Sequence, residues 1–180
     1  MKSRFRSGVA VAFLVLGGGC SRTNPGASWN IVDPPVVKTQ TDDVVVKDAT
    51  LADGTYWATA ALVSGTNDIV FRVLKARFGD TCTKWAIDNG MVDGCMNDYD
   101  VESYPDAYVG LDKLADVTVA KADGPGTSYS ITTDALAQLM EGKTTGDETK
   151  VPDGYTWVPF PFVVTVTNGL VTTAEQYWVP

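Results

Sequence analysis

Among the 180 residues the side chains able to do chemistry are carboxylates, tyrosines and three cysteines, because histidine is absent. A Ser-His-Asp or Cys-His nucleophile is therefore excluded, and so is imidazole ligation of zinc, copper or iron. Asp98-x-Asp100-x-Glu102 sets three carboxylates at alternate positions, the oxygen-rich spacing that a hard cation such as calcium takes, which makes these three the metal candidates. An EF-hand loop would need a glycine and a glutamate where Ser103 and Val109 stand, so a solvated acidic loop is the preferred reading and neither metal nor cofactor is expected. Two carboxylates can also hydrolyse a glycosidic bond, one as acid and one as nucleophile or base. With 18 Asp and 4 Glu, nothing singles out a pair, so no catalytic residue is assigned and the chain is read as non-enzymatic. Tyr99, Tyr104 and Tyr108 lie in and beside the acidic run. Large amphipathic rings dominate interface energies, so these three are the expected partner-contact group, while Trp57, Trp85, Trp157, Tyr177 and Trp178 are expected mostly to pack inside.

The first twenty residues supply a different chemistry. A basic start (Lys2, Arg4, Arg6) leads into an apolar stretch, Val9 to Leu16, and then Gly17-Gly18-Gly19 before Cys20. That is the three-part layout of an export signal, and its apolar part falls well short of the roughly 20 residues that cross a bilayer. The segment Leu16-Gly17-Gly18-Gly19-Cys20 resembles the lipobox of bacterial lipoproteins, with Leu16 one place earlier than is usual. The resemblance implies cleavage before Cys20 and acylation of its thiol with palmitate-type chains. Each buried methylene then contributes about 0.8 kcal/mol to anchoring, and the expected location is the extracytoplasmic face of the cell membrane. With Cys20 used in this way, Cys82 and Cys95 remain as a pair in an oxidising compartment, where a disulfide is the default. It would stabilise by about 3 kcal/mol through loop closure.

Removing the three basic residues of the signal leaves 11 Lys plus Arg against 22 Asp plus Glu. A field of that sign repels nucleic acid and anionic headgroups, so no nucleic-acid partner is expected. Three regions follow: a signal over 1–19, a polar flexible tether over 20–48 and one globular domain over 49–180.

The elements of that domain read as strands and two short helices. Val44 to Val46 suggests a short edge strand at the end of the tether, and Thr55 to Val63 and Ile69 to Leu74 flank a Ser64-Gly65-Thr66-Asn67 turn. Asp80 is placed to cap a helix over Thr81 to Asp88, with Cys82, Trp85 and Ala86 on one face. Asp88 to Asp106 reads as irregular. Strands are expected at Ala107 to Leu111, Val117 to Ala120 and Ser128 to Ile131, a Thr133-capped helix at Asp134 to Glu141, and a polar loop from Lys143 to Gly154. Asn168-Gly169 predicts a type I′ hairpin between Phe160 to Thr167 and Leu170 to Val179, with Val166 facing Val171 and Thr165 facing Thr172. The sum is an α+β fold of about seven strands, mainly antiparallel and curled towards a small barrel, with two short helices.

Asp53-Gly54-Thr55-Tyr56, Phe78-Gly79-Asp80, Asn97-Asp98-Tyr99 and the Asn168-Gly169 to Gln176-Tyr177 region are similar to exported actinobacterial domains and lipoproteins of uncharacterised function. That likeness covers roughly residues 53 to 180, implies a surface-anchored accessory domain and brings no catalytic residues. The leading expectation is a lipid-anchored surface domain that binds a protein or cell-envelope component, held to the membrane through acyl chains on Cys20. A phage- or prophage-encoded superinfection-exclusion lipoprotein and a carboxylate hydrolase are the alternatives.

Overall fold

The computed structural model describes residues 29–35, 46–47, 50–91, 95, 99–143 and 151–179. Along the chain come strands β1 (Asn30–Val32), β2 (Val46–Lys47), β3 (Thr50–Leu51), β4 (Gly54–Leu62) and β5 (Ile69–Phe78), then helix α1 (Gly79–Asp88). Strands β6 (Tyr99–Ala120) and β7 (Ser128–Ile131), helix α2 (Thr133–Met140), and strands β8 (Phe162–Thr167) and β9 (Leu170–Gln176) follow. Seven of the strands form one sheet in the order β1-β7-β6-β5-β4-β8-β9, and β2 with β3 makes a separate ribbon. The chain thus adopts the expected α+β architecture, a curled sheet with two short helices.

Period-two alternation decides which face turns inward. Tyr56 and Ala58 of β4, Phe71 and Val73 of β5, and Phe162, Val164, Val166, Val171 and Ala174 of β8 and β9 share one buried core. Phe71 meets Phe162 edge-on, with ring centres 5.3 Å apart. A parallel pairing between β6 and β9, from Gly110 opposite Leu170 to Thr118 opposite Glu175, joins the two remaining edges. Strands β4, β5, β6, β9 and β8 therefore close into a five-stranded barrel, and β7 and β1 continue the sheet from β6. Counted in chain order, the ring runs first, second, third, fifth, fourth, which is the Greek-key connectivity of OB-type barrels. Helix α2, inserted between the third and fourth of these strands, buries Leu136 and Leu139 completely in the same core.

One strand serves three partners by bending twice. Arg72 of β5 pairs with Tyr108 but Leu74 pairs with Ser103, so residues 104–107 of β6 stand opposite Val73 alone. Pro105 lies in this bulge, where its missing N–H costs no ladder bond. Further on, Leu111 pairs with Val171 and Asp116 with Thr173, and the side chain of Asp112 accepts a 2.8 Å bond from the Leu114 N–H inside that second bulge. Bulges bend a strand and raise its twist. Between them they let β6 pair with β5, then β9, then β7. The stretch expected to be irregular is thus strand from Tyr99 onward, and the two strands expected at 107–111 and 117–120 are parts of it.

The β8–β9 hairpin turns through Asn168 and Gly169 at φ of 53° and 76°, the two left-handed positions of a type I′ turn. Val166 faces Val171 as expected. Thr165 faces Thr173 rather than Thr172, because the register shifts between Thr165 and Val166. Thr172 bonds instead to the Thr165 carbonyl through its hydroxyl at 3.3 Å.

Both helices have their N-cap one or two residues before the expected one. The hydroxyl that accepts from the Ala135 N–H, at 3.1 Å, belongs to Thr132, while Thr133 donates to the Lys113 carbonyl. Helix α1 follows Phe78, has no side-chain bond at that N-cap, and starts at Gly79 with a φ of 50°; Asp80 lies in its first turn. The chain also joins the sheet inside the stretch expected as tether. Asn30 to Val32 pair with Ser130 to Ser128, and Trp29 packs edge-on against Tyr155 and Tyr129 at 4.8 and 5.5 Å. Val46 joins β2, whereas Val44, Val45 and residues 144–150 lie outside the described residues.

Candidate functional site

The β5–β6 pair runs beyond the barrel, and there the carboxylates meet an arginine. Arg77 stands opposite Asp100, and Lys75 opposite Glu102. The Arg77 guanidinium donates from Nη1 to Asp100 Oδ2 at 2.9 Å and from Nη2 to Glu102 Oε2 at 2.7 Å. The ring of Trp85, on α1, covers it, 4.2 Å from guanidinium carbon to ring centre. Arg77 is left 6% exposed, a buried charge paired with two acids and covered by an indole. The bond donated by Arg77, and then its charge, hold the Glu102 carboxyl below its ordinary range. Asp100 and Glu102, read in the sequence as members of an acidic loop, are therefore strand residues engaged with a cation of the chain itself; Asp98 lies outside the described residues. Among the described residues no group of three or more Cys, Asp or Glu is placed to hold a metal.

Cys82 and Cys95 form the expected disulfide, with Cα atoms 5.6 Å apart. It ties α1 to the segment leading into β6. Cys82 and Ala86 are the fully buried residues of this helix, and Trp85 shares their side. Cys20 lies outside the described residues.

The three tyrosines part company. Tyr99 is half-buried against Phe78 and Trp57, at ring distances of 5.4 and 6.5 Å. Burial first, then the negative charge of Asp100, pushes its phenol up to about 12. Tyr108 is 51% exposed, and Arg72, its partner across the β5–β6 ladder, lies 5.9 Å from its ring centre. Of Tyr104 the backbone is part of β6; its side chain lies outside the described residues. The expectation of three exposed rings in a loop is thus corrected for Tyr99, which is on a strand and packs into a ring cluster.

That cluster covers the outer face of the barrel. Trp57 alternates with Tyr56 and Ala58, so it points away from the main core, and its ladder partners are Leu74 and Val163. Phe78 and Tyr177 lie 5.1 and 5.5 Å from its ring. Trp57 is fully buried all the same, and its indole N–H has no hydrogen-bond partner among the described residues. The Nε of Arg72 is likewise buried and without a partner among them. Arg72 and Trp57 are diagonal neighbours on one face of β4 and β5, since Thr59 faces Arg72 and Trp57 faces Leu74.

Two shallow depressions lie elsewhere. One of about 360 Å³ at a barrel end gathers Asp68, Asp112, Asp134 and Lys113. Another, of about 250 Å³, lies between Pro34, Pro125, Tyr177 and Trp178 and contains the buried, unpartnered hydroxyl of Ser128.

Arg72 and Arg77 are the residues that sequence reasoning did not single out, whereas Trp57 was expected to pack inside and does. A signal for Arg77 existed. Lys75-Ala76-Arg77-Phe78 continues the alternation of β5 beyond Leu74, where the strand was expected to stop. No helix among the described residues is long and apolar enough to cross a membrane. Compared with known proteins, the chain matches no family model, no curated protein and no solved structure.

Proposed function

We propose that this protein is a lipid-anchored, extracytoplasmic, non-enzymatic surface domain that binds a protein or cell-envelope component through the outer face of β5 and β6. The observation that carries the reading is the exposed Tyr108 ring set over Arg72. Tyrosine and arginine are the residue types on which interface energy concentrates. In OB-type barrels the second and third strands, here β5 and β6, form the ligand face. That support is an analogy of architecture, and the residues have to carry the function. The engagement of Asp100 and Glu102 by Arg77 favours a structural over a catalytic role for those two acids. The anchor rests on the basic, apolar and glycine segments before Cys20.

Two experiments test the two halves of this reading. Tyr108→Ala is expected to lower binding of the mature domain to isolated bacterial cell envelopes at least tenfold, while Leu114→Ala, at another exposed apolar residue, leaves it unchanged. Equal binding by the two variants would remove this face. Expression in a lipoprotein-competent bacterium is expected to give a membrane-bound form with acyl mass, and Cys20→Ala a soluble one. A wild type that is soluble and unacylated would end the anchored reading.

A further inference from the structure

The two helices are held by different means. Helix α2 buries Ala135, Leu136, Ala137 and Leu139 and has the Thr132 cap. Helix α1 buries only Cys82 and Ala86 and has no side-chain bond at its N-cap, and its Ile87 is 66% exposed. It leaves β5 at Gly79, whose φ of 50° is a conformation that glycine adopts without strain. Its Lys84–Asp88 pair is exposed on both sides, which contributes little. A ten-residue helix with so small an apolar face does not hold itself in water. What remains is the C-terminal cap, where Asn89 Nδ2 donates to the Trp85 carbonyl at 2.8 Å and the Met91 N–H to the Ala86 carbonyl at 2.9 Å, the stack of Trp85 on Arg77, and the covalent link from Cys82 to Cys95, the strongest of the three. Barrel strands β4, β5, β6, β8 and β9 pair with one another without using α1.

We propose that the Cys82–Cys95 disulfide is a redox latch: a dithiol reductant opens it, residues 79–91 unfold locally while the barrel stays closed, and the buried Arg77 is uncovered beside its already accessible partners Asp100 and Glu102. Cys82 is fully buried and Cys95 only partly so, which makes Cys95 Sγ the sulfur that the reductant's thiolate attacks. The Cys82–Cys95 bond breaks, a mixed disulfide forms at Cys95, and Cys82 leaves as a thiolate that takes up a proton. The second thiol of the reductant then displaces Cys95, which is released as a thiol, and the reductant ends as a disulfide, having supplied both electrons. Loss of a cross-link closing a loop of this length shifts the opening equilibrium on the order of a hundredfold. Without it the Trp85 stack and the two buried side chains do not hold the segment.

Amide hydrogen exchange on the full chain with and without dithiothreitol tests the latch, with alkylation of Cys82 by iodoacetamide as a second readout. Reduction is expected to speed exchange across Thr81 to Asp88 on the order of a hundredfold, to expose Cys82 to alkylation, and to leave β8 and β9 protected within about twofold. A Cys82→Ala, Cys95→Ala double variant is expected to show the fast segment with or without reductant. Unchanged protection of the helix after reduction, with Cys82 still unreactive, would overturn the proposal, since packing would then suffice. Loss of protection in β8 and β9 together with α1 would overturn it as well, since the bond would be a staple of the whole domain. The reductant experiment on the natural chain decides even if the double variant does not fold.

Discussion

The Arg77 guanidinium carbon lies 4.2 Å from the Trp85 ring centre, and its two terminal nitrogens donate to the carboxylates of Asp100 and Glu102. The planar fork matters here, since it serves two acids at once from fixed positions. A lysine keeps the charge and loses that fork. Arg77→Lys is therefore expected to destabilise by about 1.5–3 kcal/mol, the range for a lost charge-assisted hydrogen bond, with the loss read from urea denaturation midpoints at constant m-value. Glu102→Gln is expected to shift the midpoint less than Asp100→Asn, because Glu102 is the more exposed acid.

The same cluster sets an acid limb. The Glu102 carboxyl is held below its ordinary value in the fold. Its contribution is thus complete above the unfolded value, near about 4.3, and disappears as pH falls through the lower folded value. Stability is expected to decline on acidification through that window, with a shallower slope in Arg77→Met. Urea titrations between about pH 3 and 6 compare the two. An alkaline limb comes from Tyr99, whose phenol is pushed up to about 12. Above about pH 10 the unfolded phenol ionises before the folded one, so stability falls as pH rises between the two values, and an absorbance titration of the tyrosinates follows it.

Trp57 contrasts ring burial with an unmet donor. Trp57→Ala is expected to cost about 3–5 kcal/mol, the range for large-to-small changes at fully buried aromatics. Trp57→Phe removes the buried N–H that lacks a partner, a relief of about 1–3 kcal/mol against the area it gives up. The net change should stay within about 1.5 kcal/mol. A loss as large as that of the alanine variant would mean that the indole N–H has an acceptor in solution.

Gly169 tests the tight hairpin. Its φ is 76°, and a Cβ there would stand 3.3 Å from Thr50 Cγ2. Gly169→Ala is expected to cost about 1–2 kcal/mol from the left-handed backbone. Asp53→Ala removes the acceptor that holds the Asn168 N–H at 2.7 Å and should cost about 0.5–1.5 kcal/mol. Thermal denaturation of the single variants ranks them.

Local signals carried the reading of the fold where one interaction dominates. Asn168-Gly169 dictates its hairpin because both turn positions need positive φ, and the alternation in β4 and β5 shows their pairing directly. Cys82 and Cys95 pair by elimination. Strand β6 was read as an irregular stretch and two short strands, because Pro105 and the run Asp112 to Asp116 interrupt its pattern. Those interruptions are bulges in one strand, and a bulge breaks periodicity just as a turn does. The sequence points to Thr133 as the cap of α2, and the residue that caps it is the preceding threonine, Thr132, a difference that only geometry decides. Of the candidate surface, Tyr108 was legible as an exposed ring in polar company. The tie from Arg77 to Asp100 and Glu102 was not, since it spans two strands and depends on their register.

The parallel pairing of β6 with β9 has a consequence in time. β9 is the last of the barrel strands along the chain, and its partner in the ring lies some sixty residues earlier, with Gly110 opposite Leu170. Until residues 170–176 are available, β6 and β8 keep an unsatisfied side, and the core shared by Phe71, Val109, Phe162 and Val171 lacks one wall. Contacts so distant in sequence form late and slowly. A chain emerging from the ribosome therefore keeps this wall of the core open until residues 170–176 have appeared.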